Sequence, residues 1–340
     1  MSERSERTRL SILRVLNELS GPAGAARITS RLSALGIALQ PRSVRFHLQG
    51  LDKAGLTRCV SRRLGREITE RGRAELSHAN VMEKVGFIAA RVDVLGYRMS
   101  YELMTDRGTI IANMGVIKQR DFSRAVLRMR PVFARGLGMG QRVALGMGGE
   151  TLAGFGVPSG SIALGTICSV TLNGVMLRAG IPVQSRFGGL VEMRDGRPVR
   201  FVELMEYSGT TVDPLEVFIT AGRTSVLQCA ESGSGIIGAS FREVPSPALE
   251  EIGRLRRAMA ARGLGGILTV GKPNCPLLDV PVAEGRTGIL VIGGLNPIAA
   301  LHEAGIPVAI QPLSGLAPIA AFVRFEEIAL KGRRRSPYVD

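Results

Sequence analysis

Two groups of side chains in this sequence have the types and spacing to do chemistry. The first begins at Gln40. Val44, Leu48 and Leu51 recur at i, i+4 and i+7, the spacing of an apolar stripe on a helix. Arg42, Ser43, Arg45, His47 and Gln49 fall on the other face, and their short or cationic donors suit phosphates and base edges in a major groove. Pro41 fits the first helical turn and Gly55 the stop after the last. Leu56–Val60 then alternates as a strand does, S-R-R-L-G-R turns with Arg62, Arg63 and Arg66, and Glu67–Thr69 returns. This is the plan of a recognition helix followed by a basic β-wing. A solvated basic face on a small three-helix domain is the plainer alternative. The order helix, helix, Pro-started helix, basic hairpin favours double-stranded DNA as the partner.

The second group could hold a small anion. Arg186 in Q-S-R-F-G-G and Lys272 in G-K-P-N-C-P are single cations inside Gly/Pro-rich, otherwise apolar stretches. Backbone N–H groups in such loops can bind an anion, and a guanidinium can grip a carboxylate with two hydrogen bonds. Either residue alone also reads as a surface charge. Catalytic machinery is not expected. Gly136–Gly149 opens with G-x-G-x-G, but its spacing departs from a dinucleotide fingerprint and it reads as tight turns between strands. Asp213 and Glu216, on either side of Pro214, suit a helix cap better than an acid/base pair. The four cysteines, Cys59, Cys168, Cys229 and Cys275, and the three histidines are scattered, so neither a metal site nor a disulfide framework is expected. No cofactor is expected either.

The elements that must position these groups fall into two blocks. Leu10, Ile12, Leu13 and Leu16 predict a helix over 6–19, Ile28, Leu32 and Leu35 a second over 25–35 closed by Gly36, and Thr69 a cap for a short helix over 69–76. Residues 1–80 therefore read as a winged helix-turn-helix. Residues 81–330 read as an α/β regulatory domain built of two internal repeats, about 81–206 and 207–330. A-G-I-P-V stands at Ala179–Val183 and, 125 residues on, at Ala304–Val308. A-R-G-L-G stands at Ala134–Gly138 and, 127 on, at Ala261–Gly265, each after a helical stretch (121–133 and 247–261). R-F-x-E at Arg200–Glu203 and Arg324–Glu327, 124 apart, extends the series. Such copies commonly enclose a shared cleft.

Composition agrees with this division. The net charge of +15 is concentrated in residues 1–80, with 15 Lys and Arg against 7 Asp and Glu, and in a basic tail, 331–340, with 4 against 1; a polyanion is the natural partner. Aromatic residues make up 4% and Trp is absent, which argues against a platform that stacks RNA bases on exposed rings. No signal peptide or membrane-spanning run is visible, so a cytoplasmic location without membrane partners is expected.

The winged helix followed by G-T-I-C-S-V-T-L-N-G-V-M-L-R-A-G-I-P-V, S-R-F-G-G, Y-S-G-T-T-V-D-P-L-E-V-F-I and G-A-S-F-R-E-V-P resembles the NrpR-type transcriptional repressors of archaeal nitrogen regulation. The resemblance covers nearly the whole chain. It implies a homodimeric repressor of nitrogen-assimilation genes that binds an inverted-repeat operator and is released by 2-oxoglutarate. A dianion with a keto oxygen needs one or two cations and several donors, and Arg186 and Lys272 with the hydroxyls of Thr166, Ser169, Thr210 and Thr211 are the candidates. Two other readings stay open, an RNA-binding winged-helix protein and an α/β enzyme acting on a small anionic metabolite.

Overall fold

The computed structural model describes residues 3–19, 21–34, 37–61, 63–78 and 87–328. They form two compact units, divided between Lys84 and Val85.

In the first unit, α1 (Glu3–Glu18), α2 (Ala25–Ala34) and α3 (Pro41–Lys53) precede strands β1 (Thr57–Ser61) and β2 (Gly65–Ile68) and helix α4 (Glu70–His78). The predicted stripes bury as expected. Ile12, Leu13, Leu16, Ile28, Leu32, Val44, Leu48 and Leu51 join Val15, Ala23 and Ile68 in one core. Leu35 and Gly36 lie outside the described residues. Helix α3 starts on Pro41 after an extended Gln40 and ends where Ala54 donates to Gly50 O, with Gly55 left-handed behind it. Thr69 Oγ1 accepts from Gly72 N at 3.0 Å, the cap expected for α4. The hairpin is antiparallel, bulged between Cys59 and Ser61, and Ala23 adds a bridge to Arg66.

The second unit begins with α5 (Phe87–Arg98) and β3 (Thr109–Lys118), then α6 (Phe122–Ala134), β4 (Arg142–Met147), the short pair β5 (Thr151–Leu152) and β6 (Phe155–Gly156), β7 (Ser161–Ile167), α7 (Thr171–Arg178), β8 (Gln184–Arg194) and β9 (Arg197–Glu206). It continues with α8 (Pro214–Thr220), α9 (Val226–Ser232), β10 (Gly235–Pro245), α10 (Leu249–Ala261), β11 (Ile267–Val270), β12 (Arg286–Ile292), α11 (Asn296–Glu303), β13 (Ala309–Pro318) and β14 (Val323–Arg324). Two five-stranded sheets result, ordered β11-β12-β10-β8-β9 and β13-β3-β7-β4-β14. The α/β regulatory domain expected from the sequence thus has antiparallel ladders throughout these sheets. Strands β7, β10 and β12 are buried nearly end to end, so they read as continuous apolar runs rather than as alternating ones.

The elements from β3 to β8 recur from β10 to β13 in the same order at offsets of 125 to 127 residues, with β5 and β6 as an insertion. The last strand of each series crosses over: β8 pairs with β10, and β13 with β3. The second A-R-G-L-G stretch meets the residues just after the first, Gln141 N donating to Gly263 O at 2.9 Å. The R-F-x-E matches do not extend this series. Arg200–Glu203 lies within the ten-residue β9, whereas Arg324 ends the two-residue β14 on the far edge of the other sheet. A four-residue likeness is too short to specify which edge a strand joins.

Candidate nucleic-acid surface and effector cavities

On α3 the stripe of Val44, Leu48 and Leu51 faces the core, and Arg42, Arg45 and Gln49 are left exposed, with Ser43 and His47 half-buried. Burial, and then the charge of Arg9, lower the pKa of His47, so its ring is a neutral donor or acceptor rather than a cation. In the wing Arg63 is exposed at the turn. Arg66 is not available in the same way: its Nε lies 2.6 Å from Asp52 Oδ2, and Thr57 Oγ1 donates to Asp52 Oδ1 at 2.6 Å. It pins the hairpin to α3. The sequence places Arg66 in the turn, but it lies in β2 opposite Cys59, where Asp52 at the end of α3 takes its charge. Arg62 and the basic tail 331–340 lie outside the described residues.

In the second unit two cavities meet at Asp213 and Leu313. The outer one, of about 310 Å³, is lined by Arg91, Phe155, Thr211, Glu216 and Gln311 among others. The inner one is narrow and lies among Asn113, Cys168, Ser169, Tyr207, Leu215 and Gly294. A Cβ on Gly294 would stand 2.2 Å from Ile167 O, so the ends of β7 and β12 approach here as only glycine allows. Asn113 Oδ1 accepts from Leu313 N at 3.0 Å, and the Arg91 guanidinium donates twice to Leu313 O, at 2.9 and 2.6 Å. Together they hold Leu313 at φ 48°, a left-handed backbone that a leucine adopts only under such constraint.

Behind Ser169 lies Arg242, 1% exposed. Its Nη1 donates to Ser169 O at 2.8 Å, its Nη2 reaches Ser240 Oγ at 3.4 Å, and its Nε has no partner. None of the ion pairs among the described residues includes it. Burial pushes its pKa down to about 10. Burial also pushes the Asp213 carboxyl up to about 6 and the Cys168 thiol up to about 12, and it raises the Tyr207 hydroxyl. The wall of the inner cavity thus carries a buried acid, Asp213, and behind Ser169, outside both linings, stands one incompletely bonded cation.

Of the six anion-site candidates, Ser169 and Thr211 line these cavities. Thr166 is buried and donates to Gly294 O at 2.8 Å, while Thr210 donates to Val212 O at 2.6 Å. Lys272 is exposed on the loop between β11 and β12. Arg186 occupies the bulge of β8 against β10, is ion-paired with the fully buried Glu243, and lies 5.0 Å from the centre of the Phe187 ring. These two cations lie outside both cavity linings. Sequence reasoning missed Arg242, Asn113, Tyr207 and Arg91. The signal for Arg242 was present: Arg and Glu adjacent inside the apolar run G-A-S-F-R-E-V-P, where an unsupported charge is costly. Among the described residues no cluster could hold a metal, and no helix is long and apolar enough to cross a membrane.

Asp213 caps α8, its Oδ1 accepting from Leu215 N at 2.9 Å and Glu216 N at 3.3 Å. Its folded pKa, about 6, lies above the ordinary 3.8. Its protonation thus favours the folded chain, a contribution complete below 3.8 and lost as pH rises through 6. Asp213→Asn keeps a cap acceptor and should remove that slope, whereas Asp213→Ala should also cost about 1 kcal/mol of capping. Urea unfolding across this range checks it; superimposable pH profiles for wild type and Asp213→Asn would contradict it.

A winged helix followed by an antiparallel domain with polar cavities is the build of a transcription regulator. Over residues 10–76 the chain matches the winged-helix domain of ribonuclease R, and over residues 85–324 it matches NrpR regulatory domains NRD1 and 2. It is 35% identical over 314 residues to the global nitrogen regulator NrpRI of Methanosarcina mazei, covering 92% of this chain and 96% of that one. It is 31% identical over 311 residues to the global nitrogen regulator NrpR of Methanocaldococcus jannaschii, covering 92% of this chain but 54% of the relative. A crystal structure of a nitrogen repressor-like protein from Methanococcus jannaschii shares the fold, with a TM-score of 0.59 at 24% identity over 69% of this chain and 97% of that one. The chain belongs to the NrpR family of transcriptional repressors.

Proposed function

We propose that the protein is a homodimeric, cytoplasmic repressor of nitrogen-assimilation genes that binds an inverted-repeat operator and lets go when 2-oxoglutarate enters the cavities at Asp213. The exposed cationic face of α3 carries the DNA side of this reading, together with the family. The effector side is supported by Arg242, a buried cation whose Nε lacks a partner and whose Nη1 donates to Ser169 O, Ser169 being a wall of the inner cavity that shares Asp213 and Leu313 with the outer one. A dianion would supply the missing negative charge, with Ser169 and Thr211 as donors. Residues 81–206 and 207–330 are read as two copies of one unit, supported by the recurring element order and the reciprocal exchange of β8 and β13. Effector binding would shift the population toward dimers whose recognition helices no longer match half-sites about one helical turn apart.

The test is fluorescence anisotropy with duplex from upstream of the protein's own gene, with and without millimolar 2-oxoglutarate at fixed salt. Specific binding relieved by the ligand supports the proposal, and binding indifferent to it removes the effector. Within the DNA surface, Arg45→Ala should weaken specific binding by about 1–3 kcal/mol. Arg63→Ala should weaken all duplexes alike and flatten the salt dependence. Equal losses on specific and random duplex for both variants would refute this division of labour. A second reading, single-stranded RNA as the partner, draws on the match of residues 10–76 to a ribonuclease winged helix. It wins if single-stranded RNA outcompetes duplex DNA.

A further inference from the structure

The cationic face of α3 has an aromatic ring at its centre. Phe46 is 73% exposed, among the most exposed large apolar side chains described. Counting along the helix from the buried stripe of Val44, Leu48 and Leu51, the opposite face runs Arg42, Phe46, Gln49, Lys53, at i, i+4, i+7 and i+11. Arg42, Gln49 and Lys53 are all exposed, with Arg45 beside them. The Phe46 ring stands edge-on to His47, its centroid 5.7 Å away at 74°, so its position on that face is shared with a half-buried neighbour. An apolar ring gains nothing from water here, and the ions around it exclude an apolar protein partner. What the surrounding charges do match is a polyanion with an apolar group set between its phosphates. The major groove has one such group, the C5-methyl of thymine, and Phe is among the side chains that contact it.

We propose that Phe46 is a specificity-determining residue that reads a thymine methyl in each operator half-site, while Arg42, Arg45 and Gln49 supply the polar contacts around it. This rests on the DNA-binding reading above and adds to it a base identity. Stacking on an unpaired base is the competing use of an exposed ring. A single ring on a convex helix, in a chain with 4% aromatic residues and no Trp, lacks the successive platforms that single-strand binding employs.

The experiment uses the full-length chain. Duplexes are first selected from a random pool, and the winning duplex is then remade with each thymidine replaced singly by deoxyuridine, which removes only the methyl. At one position per half-site the wild-type protein should lose roughly three- to ten-fold in affinity, the scale of one buried methyl or a single altered base contact. Phe46→Ala should show no such loss at that position, and Phe46→Leu, still apolar, should keep it. The exposure of Phe46 leaves the fold untouched in both variants, which circular dichroism checks. Sequence-selective binding with every deoxyuridine neutral overturns the proposal and spares the DNA reading. So does an equal penalty in wild type and Phe46→Ala. Failure to select any duplex above random, or a single-stranded oligonucleotide that outcompetes duplex and is lost in Phe46→Ala, overturns both.

Discussion

Arg242→Met is expected to abolish the effector response of the full-length protein while leaving it folded. The guanidinium is 1% exposed, hydrogen-bonds to one carbonyl and, at 3.4 Å, to one hydroxyl, and leaves Nε unpaired. A buried charge with so little compensation costs several kcal/mol, and replacing such charges by apolar side chains of similar length is often neutral or stabilising. Stability should therefore hold or rise by about 1–3 kcal/mol. An anion placed within about 4 Å of the guanidinium gains about 4 kcal/mol at an intermediate effective dielectric. Losing most of that corresponds to at least about a hundredfold weaker 2-oxoglutarate binding. Isothermal titration with 2-oxoglutarate, paired with urea unfolding, separates the two effects. A folded Arg242→Met with unchanged affinity would place the effector elsewhere, and marked destabilisation would make Arg242 a structural residue.

Gly65→Ala should detach the wing. Gly65 has φ 95°, and a Cβ there would stand 2.2 Å from Ala23 O and 2.6 Å from Gly24 N. The alanine pays about 1–2 kcal/mol for its backbone conformation alone. Relief of the clash also breaks the pair of bonds between Ala23 and Arg66, at 2.8 and 3.0 Å, each worth about 1 kcal/mol. A loss of at least about 3 kcal/mol from the local stability of the hairpin follows. Hydrogen exchange in the full-length chain should show Ala23 and Arg66 amides deprotected. All duplexes should bind less tightly, because Arg63 loses its fixed place, and 2-oxoglutarate affinity should not change. Preserved protection at both amides would show that the turn accommodates a side chain.

The first unit was legible because its helices are amphipathic on one period. Val44, Leu48 and Leu51 declare which way α3 faces, and with that settled Arg42, Arg45 and Gln49 must point outward. Pro41, Gly55 and Thr69 mark element ends by backbone chemistry that acts over a few residues. The NrpR resemblance was carried by long motifs whose order along the chain needs no coordinates. A-G-I-P-V follows α7 and α11, and A-R-G-L-G begins at the last residue of α6 and of α10, whereas the two R-F-x-E matches fall on strands at different sheet edges.

What the sequence determined by itself was therefore local: the element order, the buried stripes and the cationic face of α3. Only the tertiary structure decided which charged residues are spent on the fold. Arg66 belongs to Asp52 and Arg186 to Glu243, because the fold brings to each a carboxylate from another element, which local spacing does not reveal. Arg242 became the notable cation because β10 is central in its sheet, between β12 and β8, and its side chain is buried against Ser169. Burial and partnership depend on what distant segments bring to a side chain. Spacing reports only where that side chain starts.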